Sequence, residues 1–150
     1  MKRQLASVDR RPDGEYVVMT ESRAGGPWVL DGPITRLPAG SGAEALGAAV
    51  IAAMHRSRDD LPPLTRDSTP AKPLLDEFGF DDYAQYIRGL RSVSVFIVTE
   101  GTPGLIKVTP EQNGGTAAGM TPLLEHRVEF MLDDAAQVGT AVLAAFEHTS

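Results

Sequence analysis

The sequence predicts an α+β fold, a mainly antiparallel sheet with helices packed on it, and three observations carry that expectation. Strand patterns come in pairs joined by connections of hairpin length, which favours antiparallel pairing over the long crossovers of a parallel sheet. Two β-branched runs, SVSVFIVT at 92–99 and LIKVT at 105–109, are the strongest strand signals in the chain. One strand-turn-helix unit also occurs twice, ending in LGAAVIAAMHRSR at 46–58 and in VGTAVLAAFEHTS at 138–150. The offset is 92 residues, and the Gly47/Gly139, Ala49/Ala141, Val50/Val142, Ala52/Ala144 and Ala53/Ala145 pairs are identical. In both copies apolar residues fall at i, i+3, i+4, i+7 and i+8, the stripe of an amphipathic helix. A glycine in the first turns of a helix costs about 1 kcal/mol against alanine. Its use in both copies predicts a close approach, such as that of a helix to a sheet.

Taken in order, EYVVM at 15–19 and WVL at 28–30 read as a hairpin around Gly25-Gly26-Pro27, with a third short strand at 34–37. Ser41 offers an N-cap to a helix over 43–58. The segment DDLPPLTRDSTPAKP at 59–73 holds four prolines and reads as a surface loop. Thr69-Pro70 or Lys72-Pro73 can open a helix that runs to Phe78, with Gly79 as its left-handed stop. FDDYAQYIRGL adds a second helical turn with Asp81 or Asp82 near its start and Phe80, Ala84 and Ile87 on one side. The two strong strands are joined by EGTPG at 100–104 as a hairpin loop. EQNGGTAAGMTP reads as irregular; HRVEFML at 126–132 returns as a strand, and Asp133 caps the final helix. Residues 1–150 are expected to form one domain, because 150 residues at 42% hydrophobic content suffice for one core.

Composition removes several classes of function. The chain has no cysteine, so disulfides, thiolate metal sites and a cysteine nucleophile are excluded. The basic N-terminus is followed by no apolar run, and no stretch is long enough to span a bilayer, so a cytoplasmic protein with no membrane partner is expected. The net charge of −6 is uneven: residues 1–58 hold eight Lys/Arg against six Asp/Glu, and residues 59–150 hold six against fourteen. An acidic domain lacks the basic footprint that displaces counterions from phosphates, which argues against nucleic acid and for a basic protein partner.

No constellation of catalytic residues stands out. His55, His126 and His148 follow no metal-ligand spacing and read as solvated helix ends and a strand edge, so neither metal nor cofactor is expected. Asn113 to Gly119 could present N–H groups to an anion, but it lacks a phosphate-loop lysine and reads better as a connection. Asp133-Asp134 is explained by helix capping. The segment from Asp59 to Asp82 differs: it carries Asp59, Asp60, Asp67, Asp76, Glu77, Asp81 and Asp82 against only Arg66 and Lys72, with Phe78, Phe80, Tyr83 and Tyr86 among them. Rings as anchors and acids for steering suit a surface for a basic protein; rings in the core with acids in solvent would read the same in sequence.

The repeated helix, the LLDEFGFDDYAQYIRG segment, the SVSVFIVTEGTPGLIKVTP strand pair and the GGTAAGMTPL run, in that order over 43–150, resemble the immunity proteins of contact-dependent growth inhibition systems. The resemblance implies a non-enzymatic cytoplasmic protein that binds and blocks the C-terminal toxin domain of a cognate CdiA-type effector. Such toxins are frequently nucleases with a basic substrate cleft, which would fit the acidic balance. The residues expected to meet the toxin are Asp59, Asp60, Asp67, Asp81, Asp82 and Tyr83. Two other readings stay open: a structural adaptor that dimerises through a strand edge, and a small-ligand binder using the 113–119 loop.

Overall fold

Alternating apolar and polar residues build one antiparallel sheet whose two faces differ in chemistry. The computed structural model describes residues 3–98 and 104–150. Its elements are β1 (Arg3–Arg10), β2 (Tyr16–Arg23), β3 (Trp28–Leu37), α1 (Ala43–His55), α2 (Lys72–Phe78) and α3 (Tyr83–Ile87) in the first part of the chain. They continue with β4 (Arg91–Val98), β5 (Leu105–Asn113), α4 (Gly115–Ala118), β6 (Met120–Pro122), β7 (Val128–Met131) and α5 (Ala135–Phe146). The strands lie in the order β3-β2-β1-β4-β5-β6, with β7 also on the outer side of β5. Every pair is antiparallel. The α+β expectation with a mainly antiparallel sheet therefore holds. Among the described residues no helix is long and apolar enough to cross a membrane.

The registers relate two halves by an approximate two-fold between β1 and β4. Ala6 opposes Val95 and Val8 opposes Val93, so exchanging the halves swaps one pair for the other. The same exchange maps Val8↔Val18 onto Val95↔Val108, and Tyr16↔Leu37 onto Ile106↔Phe130. It also maps α1 onto α5. A Cβ on Gly47 would overlap the carbonyl of Ala135, and a Cβ on Gly139 would overlap the carbonyl of Ala43. The predicted close approach is real, but the expected partner was wrong: each repeat helix meets its own copy rather than the sheet. The glycine hydrogen that replaces the side chain points at a backbone carbonyl, the geometry of a Cα–H···O contact. This pair of helices closes the main core over Val8, Val18, Val93, Val95, Ile106 and Val108, all fully buried.

Several element boundaries depart from the sequence reading for identifiable reasons. β1 was not expected, because RQLASVDR carries little β-branched content; it is nonetheless flanked by β2 and β4 and lies inside the sheet. The two expected short strands at 28–30 and 34–37 are one strand, β3. Gly32 at φ +95° and a register shift between Met19 and Glu21 absorb the Asp31-Gly32-Pro33 corner. Gly42, not Ser41, caps α1, and the Ser41 hydroxyl donates instead to the Pro38 carbonyl at 2.7 Å. α1 also ends at His55, three residues early, because Ser57 is drawn into the sheet. Asp134, not Asp133, caps α5 by accepting from the Gln137 N–H at 2.8 Å. The stretch read as irregular forms α4 and β6, and His126 falls in a 3-10 turn before β7. Gly79, at φ 69°, ends α2 as expected. Apart from Gly104, the expected 100–104 hairpin loop lies outside the described residues, as does Thr99.

The second face of the sheet carries the shorter helices. Val17 and Met19 pack there with Leu74 of α2 and with Tyr86, Ile87 and Leu90, a smaller core than the first. Of the side expected to carry Phe80, Ala84 and Ile87, Ile87 is buried, Phe80 packs against this core and Ala84 is exposed; Tyr86 is buried as well. α2 and α3 lie on one half only, so the segment between α1 and β4 breaks the two-fold.

Candidate functional site

On this second face the sheet is not fully covered, and a cavity of about 450 Å³ remains. Strand alternation decides its floor, since Ser7 and Asp9 of β1, Glu21 of β2, Ser92 and Ser94 of β4 and Glu111 of β5 all reach it. Trp28, Met19 and Leu30 form an apolar wall, and Pro70, Ala71, Leu74 and Tyr83 roof it. The Ser57 hydroxyl accepts from the Leu5 N–H at 3.0 Å and donates to the Glu21 carbonyl, taking both halves of a bond between two residues in register. β1 and β2 are thereby held apart beside Glu21.

Three carboxyl groups converge on this floor, and among the described residues no Lys or Arg lines the cavity. Asp9 is buried and accepts from the Tyr86 hydroxyl at 2.6 Å and from Ser92 Oγ at 2.7 Å. Loss of hydration outweighs both hydrogen bonds and lifts its pKa to about 6. Ser92 Oγ also lies 3.3 Å from Glu111 Oε1. A hydroxyl has one hydrogen, so Asp9 and Glu111 share a single donor in Ser92. Burial first, and then the Asp9 charge, push Glu111 above the ordinary carboxyl range against the opposing Ser92 contact. Glu21 is half-buried and rises to about 7, first from desolvation and then from the charges of Asp9 and Glu111. Among the described residues no hydrogen bond or ion pair engages its carboxylate. Tyr83 is pushed up to about 12 by burial of its hydroxyl and by the same three acids, and the Tyr86 hydroxyl is held higher still.

Ser7 and Ser94 complete the floor. They oppose each other across β1 and β4, and neither hydroxyl has a hydrogen-bond partner among the described residues. Ser7 is only 8% exposed. Its hydroxyl oxygen is still reached by solvent, through the cavity it lines.

The residues expected to bind a partner lie outside this floor. Asp59, Asp60, Asp67, Asp81 and Asp82 are all exposed, and none lines the cavity. Asp59 and Asp60 follow Arg58, which pairs with Asp31 at 3.0 Å and brings the chain against the end of β2. Asp67 sits in a turn closed by Thr65 and Ser68. The Asp82 carboxylate accepts from the Gln85 N–H at 3.0 Å and forms a capping box, so it also has a structural task. Tyr83, 46% exposed, is the one expected residue that lines the cavity. Of the aromatics beside it, Tyr86 is core and Phe78 is half-buried beneath the Arg11 and Arg36 guanidinium groups.

The 113–119 loop uses its N–H groups within the chain. Gly114 donates to Gly119, Gly119 to Gly115, and Gly115 to the Asn113 side chain, all within 2.9 Å. Turned inward in this way, they form no cradle for an anion. His126 and His148 are stacked with ring centroids 4.0 Å apart, rather than standing separately in solvent. Among the described residues no cluster of three or more His, Asp or Glu side chains is arranged to hold a metal ion.

Sequence reasoning missed Asp9, Glu21 and Glu111. Their signal was the polar half of the alternation, Ser7 and Asp9 in one strand and Ser92 and Ser94 in another, which implies a polar sheet face without saying what covers it.

No protein-family model and no curated protein matches the chain. Solved structures do share its fold. A protein of unknown function from Neisseria meningitidis matches with a TM-score of 0.75 and 16% identity, over 99% of this chain and 96% of that one. A chain of the CdiA-CT/CdiI toxin and immunity complex from Yersinia pseudotuberculosis matches with a TM-score of 0.76 and 17% identity, over 100% of this chain and 99% of that one. The chain is thus similar in fold, from end to end, to a component of a toxin and immunity complex.

Proposed function

We propose that this chain is a cytoplasmic immunity protein that binds the toxin domain of a contact-dependent growth inhibition effector and neutralises it by occlusion, without turnover. The observation that carries this reading is the end-to-end likeness to a chain of the Yersinia toxin and immunity complex. The acidic balance of residues 59–150 favours the immunity role, since it suits a basic partner and not nucleic acid. In this reading Asp59, Asp60, Asp67, Asp81 and Asp82 steer a basic toxin, probed most simply with a nuclease domain. Tyr83 anchors it beside the cavity mouth. A stable interface of this type buries about 800 Å² on each partner.

The test is co-expression with the toxin domain encoded beside this gene. Immunity requires that the chain alone be harmless, that it restore growth to toxin-expressing cells, and that the purified pair associate one to one. Growth arrest by the chain alone would assign it to the toxin half of such a pair. Absence of both rescue and binding would leave the fold and remove the function.

A further inference from the structure

We propose that the cavity on the second sheet face is a receptor for one alkylammonium or alkylguanidinium group, its charged head at Glu21, Ser7 and Ser94 and its stem along Met19 and Trp28. Four observations lead there. The volume of about 450 Å³ lies within the range of roughly 300–1,000 Å³ typical of small-ligand pockets. Ser7 is more than nine-tenths buried and lines the cavity, yet its hydroxyl has no partner among the described residues. Glu21 reaches the same space with its carboxylate unengaged. The wall opposite is apolar and includes an indole, which accepts a methylene stem and attracts a cation to its face.

Charge sets the sign of the ligand. Among the described residues the ionisable groups facing the cavity are Asp9 from β1, Glu21 from β2, Glu111 from β5 and Tyr83 from above, with Tyr86 behind Asp9. Of the cations near this face, Lys107 lies 3.8 Å from Glu129, Arg11 pairs with Glu15 at 3.0 Å and Arg127 donates to Thr109 at 2.8 Å. An anion would meet three carboxyl groups, and a neutral molecule would leave Glu21 uncompensated. An ammonium or guanidinium supplies the donors that Glu21, Ser7 and Ser94 lack. It would also draw protons off Glu21 and Asp9, so occupancy is coupled to proton release. Two sources share this chemistry, a free amine or guanidine and a Lys or Arg side chain of a protein partner. The side-chain source rests on the immunity reading, whereas the receptor itself does not.

Calorimetric and amide-NMR titrations of the full chain with n-butylammonium and N-ethylguanidinium, against n-butanol and butyrate, test the receptor. Saturable binding of the cations alone is expected at pH 8, with shifts at Ser7, Glu21 and Ser94, at least tenfold weaker binding at pH 5, and proton release on binding at pH 6 that fades by pH 8. Glu21→Gln is expected to weaken binding at least tenfold, while Glu44→Gln, an exposed change on α1, leaves it unchanged. No saturation, equal binding of butanol, or equal effects of E21Q and E44Q would overturn the proposal. Because E21Q removes a charge without changing shape, it tests the site in a folded protein. The toxin domain then separates the sources. Toxin binding weakened tenfold by E21Q identifies a toxin side chain as the head; toxin binding unchanged by E21Q overturns that source. A wild-type chain that binds butylammonium but no toxin overturns the immunity reading and supports the free-amine source.

Discussion

On one face of the sheet Val8, Val18, Val93, Val95 and Val108 meet two long helices and no charge. One residue along the same strands, Ser7, Asp9, Ser94, Thr109 and their neighbours turn the other way, toward a smaller core and a partly open cavity. The first face is symmetric and closed, and its buried polar side chains, Gln4 and Thr20, are satisfied by carbonyls at the end of α1. The second is asymmetric, carries three carboxyl groups with raised pKa values, and leaves two serine hydroxyls unpartnered among the described residues. Burying charge without a counterion is unfavourable. That this cost persists on one face while the other packs its main core from apolar side chains separates the part that holds the molecule together from the part available for recognition.

The comparison breaks most readily at the paired glycines. Gly47→Val and Gly139→Val each drive a side chain into a backbone carbonyl, so each is expected to destabilise the fold by more than about 3 kcal/mol. Gly26→Ala, where nothing lies within 4 Å, is expected to stay within about 0.5 kcal/mol of the parent. Urea unfolding of the three variants checks this, and a normal midpoint for either valine variant would dissolve the claim of backbone contact.

The cavity face is tested next, by pH. The unfolded chain releases protons from Asp9 and Glu21 near 3.8 and 4.5, whereas the folded chain holds them to about 6 and about 7. Between these values the native state binds more protons, so stability falls as pH rises and the loss is complete above about 7. Above pH 5 about one pH unit of the Asp9 displacement and about two of the Glu21 displacement remain to be lost, which at about 1.4 kcal/mol per unit makes the protein more stable at pH 5 than at pH 8 by about 4 kcal/mol. The lowered pKa of Asp31 acts below this window and does not offset it. Stability that stays level from pH 5 to pH 8, read from urea midpoints, would mean that water reaches these acids freely.

Smaller effects distinguish acids with structural tasks from acids without them. Asp82→Ala removes the capping bond to Gln85 and is expected to cost about 1 kcal/mol. Replacing Asp59 and Asp60 together by Lys is expected to alter stability by less than about 0.5 kcal/mol. If the immunity reading holds, the same pair slows association with the toxin and flattens its salt dependence, measurable by stopped flow. Unchanged association would place the interface away from the 59–60 corner.

Much of this architecture was legible before any coordinates. The helix period of the two repeats, the glycine stop at Gly79 and an aspartate, Asp81 or Asp82, near the start of α3 are local signals, and the structure has each of them, with Asp82 as the cap. The α+β class followed from connection lengths. β1 was illegible because a strand held on both sides needs little propensity of its own; its neighbours supply its ladder. The acidic floor was illegible for a related reason. Asp9, Glu21 and Glu111 become neighbours only through the pairing of β1 with both β2 and β4, and of β4 with β5. Gly47 announced a close contact, but periodicity alone does not name the partner.

The two-fold arrangement has a kinetic consequence. Each half is a meander with a helix, assembled mostly from neighbours in sequence, while the join between β1 and β4 and between α1 and α5 consists entirely of distant pairs. Closing such distant contacts is the slow part of folding. On the ribosome, the first half is complete when α1 emerges, yet β4 follows only after about 40 further residues, a few seconds at about 5–20 residues per second. During that interval β1 is an open sheet edge, the kind of surface that recruits other chains. Its weakly strand-like sequence, with Arg3, Gln4, Ser7, Asp9 and Arg10, is suited to that wait, because charged and polar side chains on an exposed edge discourage wrong pairing. The residues that made β1 hard to see as a strand are the same ones that keep it unpaired until β4 arrives.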